Sequence, residues 1–570
     1  MKKVIAFLLL AVMLSMPLAS CGSDPDDLGA IIPMALCDYQ GNLDPTQYVY
    51  DKDFIKAASL VFESLTHVTD SGKLELVLIE DWEQHYNADR GEYFLNIDLA
   101  FSRWNDSRVL TADHVVYAWK TILSPETNSP AAALLYDIKN AKAVKSGEMT
   151  IDDLGVAALD ADTVEVQFEK PIDPELFLEA ISSPFLTPLR DDAIIGKEST
   201  WATEVKSIIT NGPFSIKSFE ETGLYRFDFS KYYRLDADEK KDFNQFVAPY
   251  RLVTDYSKTP EQQMQAYENG EIYYVGVFTK DTYAQKEKYI KNADTLASYT
   301  YYFDCENKVL SNPAVRRALS LALDREEIAS IIGRGTKAAN GFVTPAATGS
   351  TLKKSFRKEA GDVYQTTANL EEAKALLQSA GTGSGRFAIT YRSDRDFDAS
   401  VAEYAKGVWE SLGFTVSLNG LNDKSYKKAV ASGDFDVLAI DYQSPGINAY
   451  AALAPFAQEY SGAVVSVEDG ADAFTPHMTG YKSDAYSALI DEVLAAETRK
   501  ERNAKLIDAE KLLAEDMPAT ALVFFSNSYL ASSELKGLET SPYGYTIFNE
   551  ATLKNYAEKN EAYLASLKKD

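Results

Sequence analysis

The stretch that most constrains this chain is Tyr299 to Ile328, YTYYFDCENKVLSNPAVRRALSLALDREEI. Its first five residues, Tyr299 to Phe303, are all aromatic or β-branched, which predicts a strand buried on both faces. A helix is predicted to follow, with Ser311 or Asn312 as N-cap and Pro313 near the first helical position, where a missing N–H costs nothing. Val315, Ala318, Leu319, Ala322 and Leu323 recur at i, i+3, i+4, i+7 and i+8 and form one apolar stripe. Asp324 followed by Glu327 has the spacing of a capping box that opens a second helix. A buried strand feeding a tight helix pair near mid-chain marks a seam between two lobes.

The 570 residues leave room for about three or four domains. An apolar fraction of 46% with 12% aromatics is that of a globular chain able to bury large cores. The net charge of -28 argues against nucleic acid or an anionic membrane surface as the main partner, since both require a basic face. Solubility is the simpler use of that charge. The 34 tyrosines serve either as core or as rigid, amphipathic contact surface for a ligand.

Residues 1–20 have the form of a leader: Lys2 and Lys3, then an apolar run from Val4 to Met16 too short to span a bilayer comfortably. Leu18-Ala19-Ser20-Cys21 resembles the lipobox of bacterial lipoproteins, which implies cleavage before Cys21 and its lipidation. The mature protein is then expected outside the cytoplasmic membrane, held by acyl chains on Cys21. Only Cys37 and Cys305 remain, so no disulfide framework is expected, and two buried thiols are predicted.

Further along, Leu43-Asp44-Pro45, Phe62-Glu63-Ser64-Leu65, Trp104-Asn105-Asp106 with Thr111-Ala112-Asp113, Asn211-Gly212-Pro213-Phe214 and Glu268-Asn269-Gly270-Glu271-Ile272 occur in that order. With Val315-Arg316-Arg317-Ala318-Leu319 and Leu323-Asp324-Arg325-Glu326, these segments resemble the family-five extracellular solute-binding proteins of oligopeptide, dipeptide and nickel importers. The resemblance covers nearly all of the mature chain, although Tyr273 stands where an acid is usual. It implies an α/β, two-lobed periplasmic-binding-protein-like fold (type II, the large peptide-binding class) with an extra small domain. The expected division is lobe I from 21–62, 185–298 and 526–570, an extra domain from 63–184, and lobe II from 299–525. Independently, strands over Arg386–Arg392, Phe414–Asn419 and Phe435–Ile440 alternate with helices, a parallel-sheet pattern.

Nothing in the sequence demands catalysis. Gly381-Thr382-Gly383-Ser384-Gly385 follows a helix, so it reads as a C-cap and turn rather than a phosphate loop. Asp394, Asp396 and Asp398 alternate like a calcium loop, but Ala399 and Ala405 replace its glycine and bidentate acid, and a solvated loop is expected. His67, His85, His114 and His477 are scattered, with His114 expected exposed at a helix start; no metal or cofactor is expected.

The resemblance implies a ligand enclosed between closing lobes, with a hinge through Tyr299–Phe303 and Val523–Ser526. An extended peptide would pair its backbone with strands near Val49, Tyr50 and Asp51 and just before Tyr442. Tyr302 falls where relatives place an aromatic on the cleft wall; a core role is equally compatible. Relatives hold the peptide amine with an aspartate in a W-x-x-D-Y element. Here Phe435 to Pro445 reads FDVLAIDYQSP, so without a gap Tyr442 takes the tryptophan's place and Pro445 the aspartate's. Asp441 is then a carboxylate offered from a different angle, or a structural acid at a strand end. The reading is a monomeric, lipid-anchored binding protein that captures oligopeptides for an ABC permease. A saccharide, a nickel chelate, a signalling role and a secreted hydrolase remain as alternatives.

Overall fold

A computed structural model of the chain describes residues 29–38, 42–46, 52–203, 208–219, 223–234, 246–463 and 478–567. The leader, Cys21, His477 and the Val49–Asp51 segment lie outside these residues. Eleven strands join in one sheet. In chain order they are β1 (Ile31–Ala35), β2 (Phe214–Phe219), β3 (Leu224–Phe229), β4 (Arg251–Asp255), β5 (Tyr274–Val275), β6 (Lys291–Phe303), β7 (Lys337–Ala338), β8 (Gly385–Arg392), β9 (Phe414–Leu421), β10 (Val437–Gln443) and β11 (Ala519–Ala531). The spatial order is β9-β8-β10-β6-β11-β5-β1-β4-β3-β2, with β7 also on β11. Among the helices are α1 (Phe54–Val61), α2 (Ala112–Leu123), α3 (Pro313–Leu321), α4 (Arg325–Ile332), α5 (Asp398–Ser411), α6 (Asp484–Ala495), α7 (Arg499–Asp516) and α8 (Tyr556–Ser566).

Strands β6 and β11, 13 residues each, run through both lobes. β6 pairs with β10 over Ala297–Phe303, and β11 reaches β5 through Leu530 and Ala531. Their shared ladder shifts register between Asp294 and Ser298, and again between Tyr299 and Thr300. The backbone groups released there are taken up elsewhere, as buried amides must be. Leu296 N–H donates to the Pro542 carbonyl at 2.8 Å, and its carbonyl accepts from Ser444 N–H at 3.0 Å. The break therefore begins ahead of the expected hinge at Tyr299: Thr300 to Tyr302 pair regularly with both neighbours. On β11 it falls at Ala521–Ser526, overlapping the expected segment.

The aromatic run is buried on both faces as its composition predicts. Tyr299, Tyr301 and Phe303 face Phe397 and Trp409, while Tyr302 faces Tyr442 and Phe456. Asn312 caps α3 by accepting from Ala314 N–H, and Asp324 caps α4 by accepting from Glu327 N–H. Two arginines of this region are almost wholly buried and pin the helix pair to β11. Arg325 donates to the Ala521 carbonyl at 3.0 Å and to the hydroxyls of Ser320 and Thr520 at 2.8 Å. Arg316 donates to the carbonyls of Leu310 (2.7 Å) and Met517 (3.0 Å), so one planar fork closes the turns on either side.

The other motif segments are fasteners as well. Asn211 Oδ1 accepts from Glu63 N–H and its Nδ2 donates to the Glu63 carbonyl, both at 3.1 Å. Gly212 is required there because a Cβ would lie 2.4 Å from the Val61 carbonyl carbon. Asp44 accepts from Thr46 N–H at 2.9 Å and from Trp201 Nε1 at 3.2 Å. His114 is half-buried rather than exposed: Nδ1 accepts from Thr111 N–H at 2.9 Å, and the ring stands edge-on to Trp104. Burial and the nearby Arg190 guanidinium hold its pKa below the usual histidine value.

Between residues 63 and 184 a separate antiparallel sheet forms, in the order Ile79–Asn87, Glu92–Leu99, Thr163–Phe168, Val156–Ala158, with α2 against it. This part is called the module below. Cys37 is buried, Cys305 half-buried, and no disulfide joins them. The C-terminal helix α8 docks on lobe I through Asn560, which accepts from Ile31 N–H at 2.8 Å and donates to the Gly29 carbonyl at 3.0 Å. Asn560→Ala leaves both backbone groups buried without a partner and is expected to lower the unfolding free energy by about 1–3 kcal/mol. An unchanged urea midpoint would remove Asn560 as the anchor.

Candidate ligand cleft between the lobes

β8, β9 and β10 run parallel, so their carboxyl ends, Arg392, Leu421 and Gln443, share one edge of lobe II. Ligands of open α/β sheets bind beyond such an edge, where loops diverge. The loop after β8 carries Asp394 to Phe397, and the loop after β10 carries Ser444 to Asn448. Facing them from lobe I is the chain around Lys52, whose ammonium lies 5.7 Å from the ring centre of Phe525 at the interrupted ladder. Burial works against ionisation of Asp53, yet the Lys52 and Lys56 ammoniums outweigh it and hold the carboxyl well below the usual range. Val49, Tyr50 and Asp51 precede this point and lie outside the described residues.

Alternation along β10 sends Asp441 and Tyr442 to opposite faces. Asp441, 2% exposed, accepts from Arg395 Nη2 at 2.8 Å, and Arg395 Nε lies 3.5 Å from Asp398. The guanidinium stacks over Phe397, 4.6 Å from its ring centre. Burial raises Asp398 to a pKa of about 6; Arg395 opposes the shift and the Asp441 charge adds to it. On the other face, Tyr442 donates its hydroxyl to the Ala452 carbonyl at 2.8 Å and packs on Phe342 and Tyr302. The fold thus brings Tyr302 and Tyr442 together inside lobe II and places Asp441 away from them, against an arginine.

The loop is solvated at Asp394 and Asp396, as expected, but Asp398 is buried as the first residue of α5, and each of the three acids has an arginine beside it. Asp394 pairs with Arg392, Asp396 with Arg334, and the fully buried Asp398 with Arg395. Sequence reading missed Arg395 and the burial of Asp398, because the i,i+3 spacing that joins them also fits an exposed surface. Among the described residues no group of three potential ligands is arranged to hold a metal.

Pro445, at the position that the resemblance assigns to an amine-binding acid, offers only its carbonyl, which accepts from Ser183 of the module at 2.5 Å. Gly446 is packed so closely that a Cβ would lie 2.8 Å from Leu134. The module and lobe II also meet through Arg502–Asp137, Arg499–Glu179 and a bond from Tyr450 to the Ala133 carbonyl. The lobes are therefore closed. A separate cavity of about 690 Å³ lies between the Thr66–Leu76 hairpin and the Gly537–Glu550 segment. Several of its polar walls are already satisfied: His67 and Tyr233 by Glu63, Lys73 by Glu75, and Asp70 by Thr540.

Two lobes joined by crossing strands, closed over the carboxyl edge of a parallel sheet, define a hinged binding protein. The profile of the bacterial extracellular solute-binding proteins, family 5 (middle region), matches residues 73–463, and the chain belongs to that family. It is 24% identical over 494 residues to the dipeptide-binding protein DppE of Bacillus subtilis, covering 85% of each chain. Its fold matches Listeria monocytogenes OppA bound to peptide with a TM-score of 0.75 at 20% identity, over 92% of this chain and 99% of that one. Against the murein tripeptide-binding protein MppA of Escherichia coli the TM-score is 0.73 in one structure and 0.58 in its unliganded open form. Both matches have 22% identity and cover 92% and 98% of the two chains, so the lower score accords with the closed seam.

Asp398 also predicts a pH dependence. Its folded pKa of about 6 lies above the unfolded value of about 3.9, so the folded chain holds the proton longer. The stabilisation is full below about pH 4 and is lost as pH rises through about 6, a fall of about 3 kcal/mol. Asp398→Asn should remove that fall in urea titrations between pH 4 and 7; identical slopes in the two proteins would contradict it.

Proposed function

We propose that this chain is the extracytoplasmic, lipid-anchored receptor of an ABC importer, capturing oligopeptides between its lobes and passing them unaltered to a membrane permease. The observation that carries the reading is the closed seam over the carboxyl edge of β8–β10 in a chain of the solute-binding family. Support for a peptide comes from relatives named for dipeptide and oligopeptide binding. Closure excludes water, which strengthens hydrogen bonds to the enclosed guest. An extended backbone between two strand edges gains affinity without its side chains being read.

In this reading Val49, Tyr50 and Asp51 supply the lobe I edge, and the end of β10 with Ser444 and Pro445 supplies the other. Asp441, Tyr442 and Tyr302 act from beneath that end, through Arg395 on one face and the aromatic pack on the other. Incubation with a library of di- to hexapeptides should give stoichiometric binding and a raised melting temperature, about 2.7 kcal/mol of stabilisation at a hundredfold excess over Kd. Recovery of cut peptides would replace the receptor by a hydrolase, and a response to sugars alone would replace the peptide.

Lipidation is tested separately. Cys21→Ser should leave the protein in the soluble fraction, with no incorporation of labelled fatty acid, because stable anchoring takes more than one acyl chain or a second signal. Retention in the membrane would show a different anchor.

A further inference from the structure

The cavity of about 690 Å³ lies where the module meets lobe I, and none of the described residues that line it comes from β8, β9, β10 or the loops after them. Its size is that of a small-molecule site, for which about 300–1,000 Å³ is usual. The charges on its walls divide into those already answered and those that are not. Glu63, buried behind the wall, is held by His67 Nε2 at 2.6 Å and by the Tyr233 hydroxyl at 2.8 Å. Burial works against a charged His67, but Glu63 outweighs it and raises the pKa, so imidazolium and carboxylate balance each other. Lys73 meets Glu75 at 2.9 Å, and Asp70 accepts from the Thr540 hydroxyl.

Arg234 is left over. Its guanidinium lies 4.5 Å from the ring centre of Phe246 and beside the Tyr233 hydroxyl, and among the described residues no carboxylate forms an ion pair with it. The backbone at Arg234 has a φ of 56°, a left-handed conformation that costs energy in any residue with a side chain. Ser102 of the module holds it there by accepting from the Arg234 N–H at 3.2 Å. Tyr529, Tyr543 and Tyr545 continue the aromatic wall begun by Phe246. Glu539 and Glu550 are exposed carboxylates at the rim, likewise without an ion pair among the described residues.

From this arrangement we propose that the cavity is a second ligand site, separate from the cleft, for a small zwitterion that carries a ring, the class to which an aromatic amino acid belongs. Arg234 takes the carboxylate with the planar fork of a guanidinium, and Phe246 backs that fork. The tyrosines receive the ring, and Glu539 and Glu550 attract the ammonium at the entrance. A plain anion meets two acids at the rim and a plain cation meets Arg234 within, so a guest with both charges matches both ends. Such a guest touches lobe I, the module hairpin and the C-terminal segment together and stabilises their junction. The proposal does not depend on peptide capture in the cleft.

The test is titration calorimetry on the mature chain with L-phenylalanine, phenylacetate and phenethylamine, which carry both charges, the carboxylate alone and the ammonium alone. L-phenylalanine should bind the wild type most tightly and raise its melting temperature. Arg234→Gln should weaken L-phenylalanine and phenylacetate by about tenfold or more and leave phenethylamine unchanged. Glu539→Gln combined with Glu550→Gln should weaken L-phenylalanine and phenethylamine and spare phenylacetate. Both acids are exposed, so this double variant decides the matter if Arg234→Gln fails to fold. Binding of no probe at millimolar concentration, equal affinity in wild type and variants, or an equal loss of all three probes would overturn the site. So would displacement of L-phenylalanine by a hexapeptide of the library, since that would place the amino acid in the cleft. If no peptide binds the wild type, the peptide reading fails while the calorimetry still decides this site.

Discussion

The ladder between β6 and β11 is the constraint on which the rest depends. Among the described residues only these two strands carry the sheet from β10 in one lobe to β5 in the other, and both are long enough to do so. A continuous ladder would weld the lobes into one slab. The two register shifts prevent that, and the groups they release bind Pro542 of the C-terminal segment and Ser444 of the loop after β10. The bend in the sheet, the loop at its edge and the segment behind it are thus one hydrogen-bonded unit. Any movement at the break is passed to Ser444 and its neighbours, the part of lobe II nearest the candidate cleft.

Much of the fold was legible because it is written in local chemistry. Asn312, Asp324, Thr111 and Asn369 all stand at helix N-caps, and the parallel strands of lobe II fall where alternation with helices indicated. The resemblance rested on segments that prove to be fasteners. Arg316 and Arg325 close turns, Glu63 and Asn211 bind each other, and Asp44 holds Trp201. Such residues identify a fold while saying little about its guest. The first residues of β6 were not legible, since Lys291, Asn292 and Asp294 are exposed and polar and carry no strand signature. In the run Asp394–Asp398 the first and third positions are solvated as the pattern suggests, whereas Asp398 is buried against Arg395, which the alternation alone does not show. Asp137 and Arg502 are 365 residues apart, and no local pattern joins them.

Charge is used differently inside and outside this protein. The excess of acids lies largely on the surface, where it favours solubility. Within, carboxylates are matched by arginine: Glu510 by Arg357, Glu179 by Arg499, Asp441 and Asp398 by Arg395. A guanidinium is weakly hydrated and donates in a fixed plane, so it loses less on burial than an ammonium and keeps its proton. The one deeply buried lysine of the module, Lys145, shows the contrast. It meets only carbonyls, one at 2.9 Å from Ser124, and burial lowers its pKa to about 8.

The choice of charge pairs at the closing seam bears on release as much as on capture. A binding protein that closes over a solute has to open again, and an interface of apolar side chains would resist opening in proportion to the surface it exposes. Paired charges recover most of their loss by rehydration when they part, so they direct where the lobes meet without making the closed state a deep trap. Apolar contacts cross the seam as well: the Pro130–Leu135 turn packs on the Ala449–Leu453 helix and on the turns Ala454–Phe456 and Gln458–Tyr460, and the rings of Tyr136 and Tyr460 lie 5.4 Å apart. The charge pairs at Asp137 and Glu179 fix where the two surfaces meet, while this apolar strip supplies the surface that opening must expose.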